Sequence, residues 1–169
     1  MRSLNRNALM FTEDRKITNR GEQAMIEISE FTHPGAFTTK SHTVTQAHDG
    51  SMHWMLTGIV TLPDEVTGTG PSWNDTAVKL TIELPGIGHK AVRLLQCAPF
   101  VTLSSIKNDH HAMNAGWAVN SFKVVDPGSP SPGISILCHL SVRDMDGGIL
   151  RLGYVINAIG SVEEHSPDA

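Results

Sequence analysis

Cysteine is scarce in this 169-residue chain: Cys97 and Cys138 are too few for a disulfide scaffold and lack the spacing of a metal site. Aromatic residues make up only 5%, which argues against an extended aromatic platform. Charged residues make up 18% beside 40% hydrophobic ones, too little charge for a disordered chain and enough apolar material for one core. The formal charge of −4 excludes a broadly basic nucleic-acid surface. No stretch approaches the ~20 apolar residues of a membrane helix. The opening Met1-Arg2-Ser3-Leu4-Asn5-Arg6-Asn7 lacks the apolar centre of a secretory signal. The expected setting is therefore the cytoplasm or the inside of an assembled particle.

The charge that is present is unevenly placed. Residues 1–22 hold five basic and three acidic side chains, +2, and residues 23–169 hold eight and fourteen, −6. The chain divides on this basis into a polar, mildly basic arm (1–22), a body (23–162) and a polar tail (163–169). Within the arm, Met10 and Phe11 are the apolar anchors expected to hold it against an acidic neighbouring subunit.

Along the body the hydrophobic period is two. Val78, Leu80, Ile82 and Leu84 alternate with Ala77, Lys79, Thr81 and Glu83, the pattern of a half-buried strand. Trp54, Leu56, Val60 and Leu62 repeat it, and Pro63 is expected to end that strand. Ile134, Ile136, Cys138, Leu140 and Val142 form one late run, and Leu150, Leu152, Tyr154, Ile156 and Ala158 another. Asp144-Met145-Asp146-Gly147-Gly148 between them predicts an antiparallel hairpin. Weaker strands are expected at 25–31, 37–45, 91–97, 100–106 and 116–125, with Pro- and Gly-rich loops between the runs. Some nine short strands without a helical stripe predict a single all-β antiparallel sandwich, jelly-roll-like, with a closed barrel as the alternative. The last two runs look like the closing hairpin of H-type lectins and phage fibre tips, with no motif to carry over.

Chemistry-bearing residues are present without a catalytic pattern. Among nine histidines, His42, His48 and His53 cluster, and His110-His111 are adjacent. No His-x-His on a strand and no HExxH places three ligands on one metal. Asp144-x-Asp146-Gly147 lacks the remaining ligands of a calcium loop. No G-x-S-x-G or phosphate-binding glycine loop occurs, Glu163-Glu164 lie in the polar tail, and both cysteines read as small buried hydrophobes. Neither a metal nor a cofactor is expected, and an enzyme is the less favoured class.

Three functions remain, in order. The first is a non-enzymatic, self-associating sandwich with a structural or adhesive role, such as a virion or tail component. It rests on the basic arm and on apolar residues at outward positions, namely Leu137, His139, Ile149, Val155 and Ile159. Met10, Phe11, Leu137, His139 and Val155 are its candidate contacts. The second is a carbohydrate-binding module using Trp73 as a stacking ring with Asn74 and Asp75 as hydrogen bonders. The third is a small hydrolase or metal enzyme built on the histidine-rich loops.

Overall fold

Alternating residues bury one face of a strand, and two such faces close on each other when each sheet lacks another cover. A computed structural model describes residues 25–108, 115–144 and 147–163 of the chain. In it, the described residues form eight strands and one turn of 3-10 helix at Pro34–Ala36. The strands are β1 (Ile26–Ser29), β2 (Phe37–Gln46), β3 (Met52–Thr67), β4 (Asn74–Glu83), β5 (Ala91–Asn108), β6 (Gly116–Val124), β7 (Gly133–Arg143) and β8 (Gly147–Glu163). They make two sheets of four, ordered β1-β4-β7-β6 and β2-β3-β8-β5. The arm at 1–22 with Met10 and Phe11, the His110-His111 pair, Met145-Asp146 and the tail beyond Glu163 lie outside the described residues.

The all-β sandwich is present. Val78, Leu80, Ile82, Ile134, Ile136, Cys138 and Leu140 of the first sheet are buried against Trp54, Leu56, Val60, Leu152, Tyr154 and Ile156 of the second. Each large apolar side chain so buried contributes up to about 1.5–3 kcal/mol before chain entropy is set against it. Trp54 fills the core and donates its indole N–H to the Pro85 carbonyl at 2.9 Å.

Four local expectations are corrected. First, β7 and β8 are not a hairpin. β7 pairs with β4 and β6 and β8 pairs with β3 and β5, so the two strands belong to opposite sheets. Two alternating runs joined by a tight turn bury their faces equally well across a core as side by side. Second, Pro63 does not end its strand. It lies inside β3, where the ladder to β8 shifts between Thr61 and Val66, a break in which no donor is required. Third, 91–97 and 100–106 are one strand, β5, continuous through Pro99. β5 is the edge of its sheet, and an edge tolerates a residue without an N–H. Fourth, Ile149 faces inward at 0% exposure. Both ladders step from Arg151 to Ile149, so Leu150 is skipped and the face reverses there.

Strand order is also finer than alternation conveys. Here β8 lies inside its sheet between β3 and β5, and β1 runs parallel to β4. The parallel ladder closes on Glu30: its N–H donates to the Thr81 carbonyl at 2.8 Å, and its Oε2 accepts the Glu83 N–H at 3.0 Å.

Candidate interaction face

The side of the second sheet turned away from the core has an unusual composition. The strand register places Thr45, His53, Ile159 and Gln96 in one row, then Thr43, Met55, Asn157 and Ala98. The next two rows are Ser41, Thr57, Val155 and Phe100, then Thr38, Ile59, Gly153 and Thr102. These four rows hold no Asp, Glu, Lys or Arg, whereas a solvated surface carries roughly 25–35% of them. Met55 is 50% exposed, Phe100 56% and Val155 39%. Around Met55 and Asn157 the face forms a shallow hollow of about 350 Å³. Phe100 is fixed at the margin by an edge-on contact with Phe122 of β6, with ring centroids 5.8 Å apart.

The sheet edges differ from this face. β1 has four residues. The ladder breaks in β2 between Thr38 and Ser41, in β5 between Leu94 and Gln96 and again between Leu103 and Ser105, and in β6 between Val119 and Ser121. Broken or short edges are poor templates for another strand.

The residues singled out from sequence are only partly brought together. Val155 lies on this face, but Leu137 and His139, on β7, are half-buried on the outside of the opposite sheet. Ile159 lies on the same face as Val155, and Ile149 is in the core. Met55 and Phe100 were missed. The usable signal was the lack of charge at every outward position of residues 53–61.

Trp73 is 50% exposed, with the Arg143 guanidinium carbon 5.3 Å from its ring centroid and Gly116 packed against its edge. Asn74 and Asp75 begin β4, so their side chains leave opposite faces. Asn74 Oδ1 accepts the Thr69 hydroxyl at 3.1 Å, while Asp75 Oδ1 accepts the Ser141 hydroxyl and an Asn120 amide N–H. Ring and hydrogen bonders do not converge as one constellation.

The histidines separate as well. His42 pairs with Leu56 and His53 with Thr45, and His48 sits in the turn between β2 and β3. Among the described residues no three His, Cys, Asp or Glu side chains converge on a point that could hold a metal. In that turn Asp49 Oδ1 accepts the Ser51 hydroxyl at 2.7 Å and the Ser51 N–H at 2.9 Å, and both bonds hold the Asp49 carboxyl below its ordinary pKa. The Ser51 proton therefore points to the carboxylate, with His53 Nε2 at 3.5 Å, and this is the geometry of a turn rather than of an activated nucleophile. Cys138 is fully buried and Cys97 half-buried, both are free, and desolvation raises their thiols to about 12 and about 11.

No family model, no curated protein and no solved structure matches the chain.

Proposed function

We propose that the protein is a non-enzymatic structural subunit that associates with copies of itself through the uncharged face of the second sheet. The observation that carries this reading is the block of four register rows without a carboxylate, ammonium or guanidinium. A second copy is the partner such a face suits best. Two-fold pairing sets a patch against itself, so any single charge would meet its like, and this patch has none to repel. At about 4.8 Å between strands and about 6.8 Å between rows, the four rows cover roughly 500 Å². A stable dimer buries about 800 Å² on each partner. The rows therefore supply the apolar centre of an interface, and flanking residues such as Arg151 and Ser161 its polar rim.

The test is solution mass by light scattering for the parent, Met55→Asp and Val155→Asp. Both substitutions lie on an exposed face and should leave the circular dichroism unchanged while reducing the mass toward that of one chain. A monomeric parent, or variants that keep the parent's mass, would refute the reading. Carbohydrate recognition at Trp73 is the second reading, supported by the half-exposed ring.

A further inference from the structure

Along one side of the sandwich, β5 and β6 are the edge strands of the two sheets, and a slot of about 410 Å³ opens between them. Leu94, Cys97 and Pro99 of β5 and Phe122 and Val124 of β6 form its apolar walls. The ladders set Cys97 opposite Ala158 and Phe122 opposite Cys138, both core residues, so these walls are the half-buried margin of the core. The charged residue at the rim, Lys123, pairs with Leu137 and so belongs to the outer side of the first sheet. At the lip stands Leu95, the residue that the ladder to β8 skips between Leu94 and Gln96, and it is 64% exposed. Phe100, in contact with Phe122, joins the slot to the uncharged outer face.

Area and shape select a second copy of this chain as the occupant. The four rows of the outer face fall about 300 Å² short of what each partner buries in a stable dimer. They can be extended over β2 or over β5. Among the described residues, Leu95, Phe100 and Ile106 are exposed large apolar side chains on β5, whereas the exposed side chains of β2 are Thr, Ser, Lys, His and Gln. From Leu94 to Phe100, β5 runs about 20 Å, and packed sheets stand about 10 Å apart, so the mouth of the slot adds roughly 200 Å². A projecting leucine beside an apolar slot is also self-complementary, because two-fold pairing sets the projection of each copy at the slot of the other. Resting on the reading that the chain self-associates through the outer face, we propose that the interface continues over β5, with Leu95 of each copy entering the slot of the other and covering Cys97.

The test is the labelling rate of Cys97 in the full chain at one alkaline pH, over protein concentrations that span the association seen by light scattering. The rate should fall with the associated fraction, by about tenfold when roughly nine chains in ten are paired. Cys138, wholly buried, reports any unfolding. Leu95→Asp changes an exposed side chain, so circular dichroism should be unchanged while the dissociation constant rises about tenfold or more. In that variant Cys97 should label at the rate of the dilute parent. The proposal is overturned if the parent associates with no change in the Cys97 rate, or if Leu95→Asp associates like the parent; Met55→Asp then decides the outer face on its own. It is overturned also if Cys97 is equally protected at every concentration and labels faster only after residues 1–22 are deleted, which would assign the slot to the arm of the same chain. A monomeric parent removes both this proposal and the reading on which it rests.

Discussion

Tyr154 lies across Gly58, its partner in the β3–β8 ladder, so closely that a Cβ on the glycine would come 2.3 Å from the phenol oxygen and 2.5 Å from the carbon bearing it. The only tyrosine of the chain thus occupies the space an ordinary side chain would take on the neighbouring strand. Gly58 is needed here for close approach. Gly58→Ala is expected to force the ring out of its place among Phe37 and Leu56 and to cost about 1–3 kcal/mol, the range for overpacking. Denaturant unfolding measures it, and a stability equal to the parent's would show that the ring can move freely.

Salt separates association through the uncharged face from association through the basic arm. Contacts between +2 and −6 segments weaken as the Debye length falls from about 10 Å at 0.1 M to about 3 Å at 1 M. Burial of Met55, Phe100 and Val155 does not. Sedimentation at low and high salt should show undiminished association. A complex that dissociates as salt rises would assign the contact to charge instead.

The two thiols should differ in reactivity. With pKa values of about 11 and about 12, both are almost wholly protonated at pH 7, and labelling should accelerate as pH rises toward those values. Cys97, half-buried on edge strand β5, is expected to label slowly in the native protein, and Cys138, inside β7, only on unfolding. A timed thiol-labelling experiment with mass detection checks this order. Fast native labelling of Cys138 would contradict its burial.

Acid should weaken the β2–β3 turn. The Ser51 hydroxyl and N–H bonds lower the Asp49 carboxyl below its ordinary 3.8, so the folded state binds that proton less readily than the unfolded state. Its contribution is therefore complete above pH 3.8 and is lost as pH falls through the lower folded value. The Asp49 carboxyl carbon, followed by NMR, should titrate below 3.8. Asp49→Asn keeps the acceptor oxygen and removes the titration, so its stability should fall less steeply on the acid side.

Trp73→Ala tests the carbohydrate reading without disturbing the core, because the ring is half exposed and stacked on Arg143 at the surface end of β7. If glycans are recognised there, signal on a glycan array should vanish in the variant with the melting transition little changed. Equal signal from parent and variant would place any sugar contact elsewhere.

How far the chain could be read depended on the range of the forces involved. Burial of alternate residues is a local property, and for Val78–Leu84 and Leu152–Ala158 the pattern alone determined strand, inward face and core membership. So did the single-sandwich class, because that much alternation needs a second sheet to cover it. Partnership between strands is not local. The turn after Arg143 has residues suited to a hairpin, yet the core is closed by sending β7 and β8 to opposite sheets, where both bury the same residues. Pro63 and Pro99 look like strand breakers until the bulge in β3 and the edge position of β5 are known. Ile149 turns inward because both neighbours of β8 skip Leu150, a shift set by three strands at once. The same limit applies to the sites. Lack of charge at alternate positions of 53–61 was visible in the chain, but only the pairing of β2, β3, β8 and β5 assembles those positions into one face. Leu94, Cys97 and Phe122 share a slot because β5 and β6 are the edges of opposite sheets along one side of the sandwich.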